Sequence, residues 1–222
     1  GRIKIGRLEA GALVVTLLAA GGLRLVSLAG VPDGIHIDEA VMGLIARDII
    51  QGNGPHPFGF AFISDPAPMM YVKAASMALF GEGIFAQRLV AAIAGLGGVI
   101  ALWLFARPLF GAGAALLACA LLTVTASHVV FSRLALTIIE IPLFGMLAVA
   151  CIWRGFRTGQ IAWHLLGGLL LGVAQFANFG ARAYVLAVAA LYLVMLVANR
   201  RDWWTILRGG ILAGVGMVAV LA

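Results

Sequence analysis

The sequence predicts an all-α protein: a polytopic transmembrane helical bundle of about seven crossings, with a large first extracytoplasmic loop carrying one or two interfacial helices. Three observations lead there. Hydrophobic residues fill 63% of the 222 positions and charged residues 11%, far from the half-apolar, quarter-charged mix of a soluble domain. Apolar runs of roughly 17–25 residues recur, each long enough to cross a ~30 Å hydrocarbon core as a helix. Lipid leaves only helices or closed barrels as spanning structures, and the alternation of a barrel is absent. The 29 glycines suit close helix approach.

The first crossing is predicted from about Leu8 to Ala29, behind Arg2, Lys4 and Arg7. Its apolar run exceeds a signal-peptide core and is retained in the chain, so it reads as an uncleaved anchor. A polar interval follows over residues 30–83, with Asp33, Asp38, Glu39, Asp48, Asp65 and Glu82 and the turn run Gly52-Asn53-Gly54-Pro55. Within it Val41, Leu44, Ile45 and Ile49 recur at helical spacing, predicting a short helix to Ile50 along the membrane surface. Met69 to Phe80 reads as a second such helix or as the start of a crossing. Six further crossings are expected over Leu89–Ala106, Ala112–Val130, Leu134–Trp153, Ala162–Ala177, Tyr184–Ala198 and Ile206–Ala222.

Charge sets the orientation. With the N-terminus in the cytoplasm, nine of the 15 basic residues fall inside (Arg2, Lys4, Arg7, Arg107, Arg154, Arg157, Arg200, Arg201, Arg208). The other six (Arg24, Arg47, Lys73, Arg88, Arg133, Arg182) spread over much longer outer loops, as the positive-inside rule requires. Seven of the nine acids then lie outside. The net charge of +6 is scattered over helix ends rather than gathered in a stripe, which excludes nucleic acid as a partner. Cys119 and Cys151 sit inside apolar runs and read as packing residues.

Asp38-Glu39 is the first candidate for chemistry. An Asp N-cap and a first-turn Glu are also what a helix start wants, while a carboxylate held at a membrane surface can deprotonate an acceptor beside a lipid-borne leaving group. Arg133 and Arg182 are predicted at outer ends of crossings, either snorkelling to the interface or forking onto a phosphate. Lys73 could assist as a point charge. Asp65 opens the rigid turn Asp65-Pro66-Ala67-Pro68. Glu140 lies seven residues after Arg133, on the same face if one helix continues through both, and reads as its ion-pair partner. His128 and His36 lack ligand spacing to each other.

Taken in order, several of these residues carry a resemblance. They are Ile35-His36-Ile37-Asp38-Glu39-Ala40, Ala46-Arg47-Asp48, Gly52-Asn53, Pro68-Met69-Met70-Tyr71, Ala75-Ser76-Met77-Ala78-Leu79-Phe80-Gly81, Gln87-Arg88-Leu89, Phe131-Ser132-Arg133 and Ala181-Arg182. The chain resembles the membrane half of GT-C glycosyltransferases of the protein O-mannosyltransferase and aminoarabinose transferase type, the family 39-like group. The likeness covers nearly the whole stretch and implies one GT-C-like membrane domain over residues 1–222, part of a longer protein.

The resemblance implies transfer of a sugar from a polyprenyl-phosphate donor to an acceptor outside the cytoplasmic (inner) membrane. It makes Asp38 the general base or acceptor-orienting carboxylate, with Glu39 beside it. Arg133 and Arg182 would hold the donor phosphate, with Tyr184, Lys73 and Asp65 completing the substrate-binding set. Many relatives carry a Lys-Pro-Pro-Leu-like element where this chain has Pro66-Ala67-Pro68-Met69. No cofactor is assigned, and room is left for a divalent cation. Expected partners are the polyprenyl-phosphate sugar lipid, membrane lipids and other membrane subunits. The rival reading is a non-catalytic, transferase-like subunit with a structural or assembly role. A transporter is disfavoured, since no broken midplane helix pair is evident.

Overall fold

The computed structural model describes residues 6–62, 65–199 and 202–221; Arg2, Lys4, Arg200 and Arg201 of the expected basic flanks lie outside them. The helices are α1 (Arg7–Leu25), α2 (Ile37–Ile50), α3 (Pro68–Phe80), α4 (Ile84–Val124), α5 (Ala126–Arg133), α6 (Glu140–Thr158), α7 (Ala162–Gln175), α8 (Arg182–Ala198) and α9 (Trp203–Leu221). Strands β1 (Phe60–Phe62) and β2 (Asp65–Pro66) form a small antiparallel pair ahead of α3. The all-α expectation holds.

Among the described residues, five helices are long and apolar enough to cross a membrane: α1, α4, Thr137–Thr158, Phe179–Ala198 and α9. Seven crossings were expected, and the count differs for two reasons. At 14 residues α7 is short for a crossing. The 41 residues of α4 run unbroken except at Gly111, whose φ of 83° lies in the left-handed region open to glycine. There the chain doubles back. Cys119 Sγ donates to the Val99 carbonyl at 3.4 Å, whereas 20 residues of straight helix would hold them ~30 Å apart. Residues 84–110 and 112–124 are therefore two antiparallel limbs, packed through Val99, Trp103, Ala115 and Cys119.

The remaining contacts fix the order of the bundle. α1 runs antiparallel to the first limb of α4, with Glu9 paired to Arg107 at one end and Arg24 beside Gly95 at the other. α6 and α7 are antiparallel, Gly155 meeting His164 and Gly167 meeting Ile152. α7 and α9 run parallel: His164 lies on Gly209, Gly168 on Ala213 and Gly172 on Met217. Leu18, Leu186, Leu193 and Ile211 stay exposed, as lipid-facing residues do in a bundle without a hydrophobic drive of its own. This is an integral membrane protein. Alternation gathers the end of α1, α2, α3, the start of α4, α5, the start of α6 and the start of α8 at one end of the bundle.

Two local expectations change. The buried face of α2 is Glu39, Met42, Gly43 and Ala46, while Leu44 is 60% exposed. Close approach selects the small residues: a Cβ at Gly43 would sit 2.4 Å from Gln87 of α4. The helix through Arg133 and Glu140 is also interrupted. Leu134 is extended, residues 137–139 form a 3-10 turn, and α6 begins at Glu140.

A candidate active site at one end of the bundle

α2 starts on a capping box two residues earlier than an Asp38 cap. His36 is the N-cap, its Nδ1 accepting from the Asp38 N–H at 3.2 Å, while Glu39 Oε2 accepts from the His36 N–H at 3.1 Å. Asp38 is thus the second residue of the helix. Its side chain is exposed and lies 3.6 Å from His36 Nδ1. Because that nitrogen accepts from the backbone, it carries no proton to share with the carboxylate.

Glu39 has no exposed surface. Arg88 donates to it twice, from Nε to Oε1 at 2.9 Å and from Nη2 to Oε2 at 3.0 Å, and the Ala135 N–H adds a bond to Oε1 at 2.7 Å. Burial works to raise its pKa. The bonds from Arg88, Ala135 and His36, with the charge of Arg88, outweigh burial and hold the carboxyl below its ordinary value. Arg88 spends its other donors on the carbonyls of Leu28, Pro32 and Gly34. One ion pair thereby ties the link after α1, the start of α2, the start of α4 and the segment after α5.

Lys73 on α3 is fully buried and holds the same segment from the other side, donating to the Ala135 carbonyl at 2.6 Å and approaching Met42 Sδ at 3.2 Å. Its charge also falls on Glu140. The expected Arg133–Glu140 pair does not form, because the helix break rotates the two apart. Both carboxylate oxygens of Glu140 are buried without a hydrogen-bond partner. Arg133 instead donates to the carbonyls of Leu23 (2.7 Å), Val26 (2.8 Å), Ser27 (3.1 Å) and Val31 (3.0 Å). It satisfies the orphan acceptors at the end of α1 and the turn at Ser27, which has a φ of 51°. A phosphate at Arg133 would have to displace these carbonyls.

Arg182 is an exposed cation at this end, as is Arg47 of α2, which pairs with Glu82 at 3.2 Å. Arg182 opens α8 with its guanidinium 4.5 Å over the Phe179 ring. The preceding turn is set by the Asn178 side chain accepting from the Gly180 N–H and by Gln175 donating to the Ala181 carbonyl. Tyr184 is half-buried, its ring filling the space beside Gly145 of α6. Asp65 pairs through its backbone with Phe62.

Sequence reasoning missed Arg88 as the partner of Glu39, and a second buried cation, Arg24, whose Nη2 donates to His128 Nδ1 at 2.8 Å. A charge inside an apolar run demands a partner; that demand was the signal, though it does not name residues 49 or 104 positions away. Among the described residues, no three of His, Cys, Asp and Glu gather to hold a metal ion.

Residues 64–222 match the family described as dolichyl-phosphate-mannose-protein mannosyltransferase. The chain belongs to this family. It is 29% identical over 214 residues to the undecaprenyl phosphate-alpha-4-amino-4-deoxy-L-arabinose arabinosyl transferase of Pseudomonas aeruginosa, covering 93% of this chain and 37% of that protein. The transferase of the same name from Edwardsiella ictaluri is 26% identical over 191 residues, covering 82% of this chain and 34% of that protein. Among solved structures, ArnT from Cupriavidus metallidurans bound to undecaprenyl phosphate superposes with a TM-score of 0.65 at 21% identity, over 96% of this chain and 39% of that one. The fold of this family member is thus that of the matched part of ArnT. The chain spans between 21% and 37% of the length of the curated relatives it matches.

Proposed function

We propose that this chain forms the membrane portion of a glycosyltransferase that moves a sugar from a polyprenyl phosphate to an acceptor on the extracytoplasmic side of the cytoplasmic membrane. The observation that carries the reading is the division of labour at the start of α2. His36 and Glu39 do the capping, and Glu39 is locked to Arg88, so Asp38 is left exposed with no structural task at the end where Arg182 is also exposed. The family and the lipid-phosphate relatives support it.

In this reading Asp38 takes the proton from the acceptor's nucleophile as that atom bonds to the anomeric carbon and the bond from carbon to phosphate oxygen breaks. Arg182 and the N-terminal N–H groups of α8 receive the charge that grows on the leaving phosphate, with Tyr184 and the Asp65 turn flanking the substrate. Glu39, Lys73 and Arg133 are positioning residues. The two limbs of α4 and the short α7 make seven passes, with the N-terminus in the cytoplasm, residues 30–83 outside, α2 and α3 along the membrane surface, and residues 1–222 as one domain.

The test is transfer from a radiolabelled polyprenyl-phosphate sugar by the full-length protein in proteoliposomes. Asp38→Asn should lower kcat by roughly 10²–10⁴-fold with unchanged thermal stability, and Arg182→Ala should raise the donor KM about tenfold. Full activity of Asp38→Asn would overturn the assignment. Donor binding without turnover by the wild type would favour the non-catalytic subunit.

A further inference from the structure

We propose a second site at the end of the bundle opposite Asp38: a cleft that takes the phosphate of an anionic glycerophospholipid headgroup. The cleft, ≈ 620 Å³, opens between the reversal of α4, around Arg107 and Gly111, and the end of α6 with its turn into α7, at Arg154, Arg157 and Trp163. That volume is in the range of small-molecule sites.

The lining separates structural cations from free ones. Arg107 is committed to Glu9, with bonds of 2.7 and 3.1 Å. Among the described residues, no ion pair involves Arg154 or Arg157. The Arg154 guanidinium carbon sits 4.4 Å from the Trp163 ring centroid, a cation–π contact that does not consume the N–H donors a forked bond to phosphate oxygens would use. Trp153, also in the lining, has a buried indole N–H with no acceptor among the described residues. Two cations, a ring platform and an unspent donor make an anion subsite.

The rest of the wall says which anion. Leu104, Leu147 and Ala150 continue the cleft up the membrane-spanning helices, giving an acyl chain a path away from the headgroup that a free phosphate would not use. Arg157 is 17 residues along α6 from Glu140, roughly 26 Å. A lipid here belongs to the leaflet opposite the proposed transfer site and is distinct from the sugar donor.

The full chain is reconstituted in phosphatidylcholine nanodiscs with a photoactivatable phosphatidylglycerol. Labelled peptides should come from residues 104–111 and 147–163, and the Arg154→Gln/Arg157→Gln double variant should lose labelling about tenfold. Where the double variant does not fold, Arg157→Gln alone, at an exposed helix end, is read instead. Unchanged labelling in the variant, equal labelling by a photoactivatable phosphatidylcholine, or displacement by inorganic phosphate or by undecaprenyl phosphate would each overturn the proposal.

Discussion

Glu39 and Asp38 are adjacent acids with opposite fates, and the difference is set by which one the capping box uses. Glu39→Gln keeps the size of the side chain but leaves Arg88 as an uncompensated buried charge, a loss of about 3–5 kcal/mol; thermal unfolding in detergent measures it. The carboxyl of Glu39 is held below its ordinary 4.5. Below that pH the unfolded chain binds a proton that the folded chain does not, so stability falls as pH drops through the folded pKa and is fully present above the ordinary value. The midpoint of unfolding should decline in acid, and decline less steeply in Glu39→Gln. The pair of acids at a helix start was legible in the sequence. Which one was free was not, because the answer rests on a two-residue shift of the N-cap to His36 and on an arginine 49 positions away.

At the level of elements, glycine contacts hold the bundle together. Along the parallel α7–α9 pair, a Cβ at Gly168 would sit 2.1 Å from the Ala213 carbonyl oxygen, and one at Gly216 would sit 2.6 Å from that of Leu165. Backbone cannot yield as a side chain can. Gly168→Leu should therefore separate the two helices and cost at least about 1–3 kcal/mol, seen as a lower unfolding midpoint, while Gly214→Leu, with open space around it, should be near neutral. Crossing helices were legible as apolar runs, and the reversal as a break between residues 106 and 112. Partner and direction were not, since hydropathy says nothing about which faces contain glycine. The same limit explains α2, where the apolar residues counted from spacing proved less buried than the small ones.

For the molecule as a whole, the two ends carry different kinds of cation. Near Asp38 the cations are mostly consumed by carbonyls and carboxylates, exposed Arg47 pairing with Glu82, while Arg182 is exposed and, among the described residues, in no ion pair. At the other end, stacked Trp203 and Trp204, with Arg208 5.7 Å over the Trp204 ring, and Arg154 over Trp163 form an aromatic and cationic girdle of the kind that anchors a bundle at a membrane interface. Overall class and family resemblance were legible because composition and motif order are properties of the chain. The site is a property of the ends meeting, which chain order does not display.

Ala135 has a methyl group for a side chain, yet its N–H is held by Glu39 and its carbonyl by Lys73. During synthesis this imposes a schedule. α2 and α3 leave the ribosome well before Ala135 does, so Glu39 can pair with Arg88 early, but the bonds of Glu39 and Lys73 that join the two helices through Ala135 wait until the segment after α5 has been made. Nascent chains arrested short of that point should be cut by protease across residues 30–83, and chains extended beyond α6 should resist. Equal protection at both lengths would show that the two helices dock without the segment that pins them.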